Sequence, residues 1–228
     1  LLVSVDQEGG RIQRFNDGFF PIPAMRSLGN LYDQSREDGM QATRLAAEIL
    51  GLELLEVGVD FSFVPVLDID HGVSSVIGSR SFHYDPKVVD CLSEQFFEGM
   101  QRAGMHCVAK HFPGHGAVSG DSHQKTPEDN RPMKIIMDDL QPYETLIKKG
   151  LFGIMTAHIR YPLIDAQIAT FSHYWLRDYL RNQLQFNGII FSDDLMMKAT
   201  DFIASTPKKV LLSLSAGCDI VLICNSPR

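Results

Sequence analysis

The chain has 228 residues, 44% of them hydrophobic, which suffices to bury one substantial core and lies within the range of a single α/β domain. Its formal charge is −7 and it carries no run of Lys or Arg, so a nucleic-acid partner is excluded and a small, neutral ligand is favoured. No apolar stretch reaches the roughly 18 residues of a membrane-spanning helix, and Cys91, Cys107, Cys218 and Cys224 lack C-x-x-C spacing and read as free thiols.

In chain order, the first apolar run, Leu1–Val5, reads as a strand ending at Asp6. Thr43 to Leu55 has apolar residues at Leu45, Ala46, Ile49 and Leu52, the spacing of a helix that covers a sheet. Val59–Leu67 is the next strand and ends at Asp68. Asp85-Pro86 supplies an N-cap and a first-turn proline for a helix over Val88 to Met100, which Gly104 terminates. The remaining strands are His106–Ala109, Leu151–Thr156, Gly188–Phe191 and Asp219–Ile223, with a weaker one at Ile168–Phe171. Gly150 and Gly217 close helices, and Ser172 and Ser205 are caps for later ones.

Such alternation implies a parallel sheet, either closed into a barrel or open and doubly wound. Seven strands are counted. With a first strand and last helix lacking from the chain, the count is that of a (β/α)8 TIM-type barrel, one domain over residues 1–228.

In parallel α/β folds the chemistry gathers where strands end. Those positions hold Asp6, Asp68, Lys110 with His111, His158, Asp193 with Asp194, and Asn225. The densest segment is Lys110-His111-Phe112-Pro113-Gly114-His115-Gly116, followed by Asp121-Ser122-His123. Its glycines let backbone approach a ligand, while Lys110 and His111 offer donors to hydroxyl groups. The plainer reading is a polar loop with helix caps. Asp193 and Asp194 are neighbours, and in an extended strand only one of them should face the mouth.

The pattern K-H-F-P-G-H-G-x4-D-S-H resembles the signature of the single-domain β-N-acetylglucosaminidases of glycoside hydrolase family 3. Asp6-Gln7-Glu8-Gly9-Gly10-Arg11-Ile12-Gln13-Arg14 is similar to another of its motifs, and Gly188-Ile189-Ile190-Phe191-Ser192-Asp193-Asp194-Leu195 to its nucleophile strand. The resemblance implies that Asp193 is the nucleophile and His123 the general acid/base, with Asp121 as its partner. It implies substrate binding by Asp6, Arg14, Arg80, Lys110 and His111. Asp194 is then expected to cap the following turn. A retaining glycosidase needs one group to attack the anomeric carbon and a second to donate and then accept a proton, and an imidazole titrating near neutrality suits the second task. The implied substrate is terminal N-acetylglucosamine of peptidoglycan-derived muropeptides, handled by a cytoplasmic monomer without metal or cofactor. The sequence departs from the family pattern at His83-Tyr84-Asp85-Pro86, where a glycine usually precedes the D-P step; the added bulk is expected to alter the pocket rim beside Arg80.

Other readings stand beside this one. His111, His115, His123 and a carboxylate offer ligands for a metal-dependent barrel hydrolase, although no H-x-H ends a strand. A non-catalytic sugar-binding barrel is a second, and transfer of the sugar to phosphate a third. Arg14 and Arg80 also suit surface ion pairs.

Overall fold

The computed structural model of the chain describes residues 1–119 and 126–224. Its centre is a six-stranded, wholly parallel sheet of β1 (Ser4–Val5), β2 (Phe61–Ser62), β3 (His106–Phe112), β4 (Gly153–Thr156), β7 (Ile189–Asp194) and β8 (Ile220–Leu222), adjacent in that order. Between β4 and β7, β5 (Arg160–Tyr161) and β6 (Asp165–Ile168) form a separate antiparallel pair. The expected seventh barrel strand at Ile168–Phe171 therefore belongs to this hairpin and to a 3₁₀ turn over Ala169–Phe171. β1 and β8 are not paired among the described residues, yet residues of both line one cavity, so the sheet curls. Among the described residues it forms a curled, parallel half-barrel.

The helices are α1 (Met25–Gln34), α2 (Arg36–Glu56), α3 (Pro86–Ala103), α4 (Met133–Lys148) and α5 (Thr206–Ala216), with a π-helical segment over Tyr174–Gln183. Local chemistry sets their starts. Ser35 Oγ accepts the Asp38 N–H, and Glu37 and Asp38 place negative charge in the first turn of α2, where the helix dipole favours it. Asp85 accepts the Lys87 N–H with Pro86 in the first turn, as its sequence implied. Ser172 accepts the Trp175 N–H at the start of the π-helical segment. Ser205 precedes α5, but its side chain makes no capping bond, so that expected cap is positional only.

The chain thus lays two apolar layers against the sheet. A large outer core joins helices to sheet, drawing on Leu50 and Leu54 of α2, Val89, Leu92 and Phe96 of α3, and Leu140 and Tyr143 of α4. A small inner core fills the curl with Phe61, Phe63, Val108, Met155 and Phe191, in which Phe63 meets Phe191 edge-on at 5.7 Å. The strand expected over Val59–Leu67 is shorter because Pro65 has no N–H to give a ladder; pairing stops at Ser62 and returns as a single bridge, Val66 to Lys110. No described helix is long and apolar enough to cross a membrane.

Candidate active site

Above the inner core, where β1, β3, β7 and β8 end, lies a cavity of about 390 Å³ lined by Asp6, Glu8, Arg14, Arg80, Lys110, His111, Asp193 and Asp194 among others. Phe63, Met155 and Leu222 also line it, which makes its inner side apolar.

Past β1 the chain is turned sharply by two adjacent glycines, Gly9 at φ +101° and Gly10 at φ +54°, values that L side chains rarely adopt. A Cβ on Gly9 would also lie 2.7 Å from the Pro23 carbonyl oxygen. The Gln7 side-chain oxygen accepts the N–H groups of Arg14 and Phe15, folding the loop so that Arg14 returns to the cavity rim. The Arg14 side chain makes no ion pair among the described residues and is exposed there.

Glu8 stands at the centre of the charged wall. Only 3% exposed, it accepts Nε and Nη2 of Arg80, both at 2.8 Å, and pairs with Lys110 Nζ at 2.6 Å. Burial alone would raise its pKa, but the ammonium of Lys110 and the guanidinium of Arg80 outweigh burial and hold it at about 2. Lys110 in turn reaches Asp6 Oδ1 at 2.5 Å; burial opposes its charge, and Glu8 and Asp6 overcome that and raise its pKa. Arg80 is thus ion-paired, but in a buried network and not on the surface.

β3 delivers a second carboxylate partnership. Asp68 Oδ2 lies 2.6 Å from His111 Nδ1, and Oδ1 accepts the His115 backbone N–H at 2.6 Å. These donors and the adjacent imidazoles overcome the burial that would raise the Asp68 pKa, and lower it. Because Asp68 is a carboxylate, Nδ1 of His111 carries a proton, and the ring's other nitrogen is left for the cavity. Burial followed by the charge of His111 depresses the His115 pKa to about 4.

The turn after β3 allows no side chain at Gly116, where a Cβ would sit 1.6 Å from the Ile69 carbonyl oxygen. From Thr126 onward, side-chain contacts fix the loop. The Thr126 hydroxyl donates to the Ala199 carbonyl, and Arg131 forks onto Asp129 and also donates to Asp139, whose Oδ1 lies 2.8 Å from His71 Nε2.

At the end of β7, Asp193 faces the cavity, and its Oδ1 accepts the Asp194 N–H at 2.7 Å. Burial opposes ionisation of Asp193, yet His158, His111, that amide and Lys110 together lower its pKa. Asp194 Oδ1 accepts the N–H of Met196 and of Cys224, each at 2.9 Å, so it caps the turn as expected. Both aspartates nonetheless line the cavity; the expectation that only one would face it fails because regular pairing is already breaking up between Phe191 and Asp194.

The family model for the glycosyl hydrolase family 3 N terminal domain matches residues 1–228. The chain belongs to glycosyl hydrolase family 3. The beta-hexosaminidase of Thioalkalivibrio sulfidiphilus is 49% identical over all 228 residues, which cover 66% of that relative, and that of Aromatoleum aromaticum is 46% identical with 64% covered. The crystal structure of NagZ from Neisseria gonorrhoeae in complex with N-trifluoroacetyl-D-glucosamine superposes with TM-score 0.93 at 42% identity, covering 99% of this chain and 65% of that one. The chain therefore spans a little under two thirds of the length of these relatives.

Within this family 3 domain, Asp6, Arg14, Arg80, Lys110, His111 and Asp193 converge on one cavity. Asp121, His123 and Asn225 lie outside the described residues. His83 and Tyr84 do not line the cavity. His83 is buried, with Nε2 3.1 Å from Asp33 and Nδ1 accepting the Asp85 N–H, while Tyr84 is 67% exposed. Their bulk is therefore accommodated away from the rim. Sequence reasoning missed Glu8 and left Asp68 unassigned. Glu8 lies inside the D-Q-E-G-G motif and Asp68 closes an apolar run, so each had a positional signal. Among the described residues no group of three His, Cys, Asp or Glu side chains comes together to hold a metal ion.

Proposed function

We propose that this family 3 domain is a retaining β-N-acetylglucosaminidase that removes terminal N-acetylglucosamine from peptidoglycan-derived muropeptides. The observation that carries the reading is the Asp193 carboxylate, held ionised in a cavity whose other polar groups suit sugar hydroxyls. In this reading an Asp193 oxygen attacks C1 as the bond from C1 to the leaving oxygen breaks, and His123 gives that oxygen its proton. Water then attacks C1, passes a proton to His123 and releases the Asp193 carboxylate, with net retention. Asp121 orients the imidazole and stabilises its protonated form.

Asp6 accepts hydrogen bonds from sugar hydroxyls, and Lys110, His111, Arg80 and Arg14 donate to others. The beta-hexosaminidase relatives and the N-trifluoroacetyl-D-glucosamine bound to the Neisseria gonorrhoeae NagZ support the sugar, and the muropeptide source rests on the family resemblance of the motifs. The curl of the sheet supports reading its strands as part of an eight-fold barrel, one catalytic domain, and we read the protein as a cytoplasmic monomer.

Replacing Asp193 by asparagine is expected to reduce turnover of a chromogenic N-acetyl-β-glucosaminide by roughly 10⁴-fold or more, with an unchanged melting curve. Mass spectrometry of rapidly quenched wild-type enzyme should find one added N-acetylhexosaminyl group on the peptide bearing Asp193. A label on another carboxylate would end this assignment. A rate that rises with added phosphate, with sugar phosphate as product, would replace hydrolysis by transfer.

A further inference from the structure

Asp193 can attack only if its carboxylate is held still, and the group that reaches its support lies below the cavity. His158, wholly buried after β4, has Nε2 2.9 Å from the Asp194 carbonyl oxygen and Nδ1 2.7 Å from Thr170 Oγ1. A carbonyl only accepts, so Nε2 carries a proton. Burial depresses the pKa of the imidazole against the pull of Asp193 and the Asp194 backbone, so the ring is neutral and Nδ1 is an acceptor.

The Thr170 hydroxyl then lies between two acceptors, Nδ1 at 2.7 Å and the Ala157 carbonyl oxygen at 3.1 Å, of which Nδ1 is the nearer, and the Thr156 hydroxyl is 2.8 Å from Thr170 Oγ1. The line of contacts runs from Thr156 through Thr170 and His158 to the Asp194 carbonyl. Phe171 lies nearly parallel to the imidazole, 10° between planes and 6.4 Å between centroids, and limits its tilt. The Met197 N–H gives the same carbonyl a second donor at 3.1 Å. The opposite side of residue 194 completes the chain, because its N–H donates to Asp193 Oδ1.

We propose that His158 is a positioning residue for the nucleophile: through the Asp194 backbone it fixes the Asp193 carboxylate, and Thr170 selects the tautomer that allows it. This rests on the reading of Asp193 as the nucleophile. A neutral donor is the right agent for the task. It holds the carbonyl side of residue 194, whose N–H side holds Asp193, through a bond that needs no positive charge on the ring.

The test uses the full chain and an aryl N-acetyl-β-glucosaminide, whose leaving group departs without a proton, so that the first step reports attack by Asp193. His158→Gln can return an N–H near the place of Nε2, whereas His158→Asn reaches only the place of Nδ1 and loses the donor to Asp194. We expect His158→Asn to lower kcat about 100-fold, the scale of a small misplacement, while KM stays within about threefold. His158→Gln should recover about tenfold of that loss, and Thr170→Val should lower kcat about tenfold.

Asp193→Asn is measured alongside. Should it retain the wild-type rate, the nucleophile assignment fails, irrespective of His158. With Asp193→Asn inactive, a folded His158→Asn at wild-type kcat, or equal losses in the Asn and Gln variants, overturns the positioning role. If His158→Asn does not fold, Thr170→Val decides, and an unchanged kcat there overturns the inference.

Discussion

The two sides of the cavity hold their carboxylates by different means. On the side of β1 and β3, Glu8 is locked between two cations, Arg80 and Lys110, and neither it nor Lys110 has more than a trace of exposure. At the end of β7, the hydrogen bonds that Asp193 and Asp194 accept come from backbone N–H groups, and the His158 imidazole grips the Asp194 carbonyl. Charge pairing fixes groups that need only to bind. A carboxylate read as a nucleophile must keep its electron density, and among the described residues Asp193 makes no ion pair: a backbone dipole holds it, while nearby charges favour its ionised form from farther off.

The same chemical change, carboxylate to carboxamide, can break or sharpen this contrast. Glu8→Gln should destabilise the fold by about 3–5 kcal/mol in a urea titration, because it takes the partner carboxylate from Arg80 and leaves Lys110 with Asp6 alone. A loss below about 1 kcal/mol would show that the network is less buried in solution than its geometry implies.

Acidification makes the same point without mutation. The Glu8 pKa is lowered on folding from 4.5 to about 2, so its contribution is complete above pH 4.5 and is lost as pH falls from there toward 2. The expected loss is about 3 kcal/mol. In Glu8→Gln this part of the acid dependence should be absent, and an unchanged acid limb would assign it to other carboxylates, such as Asp68, whose pKa shifts in the same direction.

Asp194→Asn should have the smallest effect, within about 1 kcal/mol, because the remaining side-chain oxygen can still accept the N–H groups of Met196 and Cys224. A loss as large as that of Glu8→Gln would remove the distinction between the two sides.

The sequence discloses these two regions unequally. β3 and β7 are legible as buried apolar runs, and Asp6, Lys110, His111 and Asp193 follow from the rule that strand ends carry chemistry. α1 is hard to read because its N-cap position is Ala24, which provides no side-chain cap, immediately after Pro23. The π-helical segment does not follow the usual 3.6-residue period. Glu8, Asp68 and His158 escape assignment for a shared reason. Each acts on another side chain or on backbone, and the identity of that partner depends on which strands become neighbours. Asp68 meets His111 only because Val66 bridges to Lys110.

The cluster of phenylalanines inside the curl has an electrical consequence. Phe61, Phe63 and Phe191 form a poorly polarisable base, and the Lys110 ammonium sits 5.9 Å from the centroid of the Phe63 ring. Water and salt ions cannot gather beneath the charges, so field lines from Lys110, Arg80 and Asp193 spread little downward and are concentrated toward the opening. An incoming polar molecule replaces the only medium that was screening them.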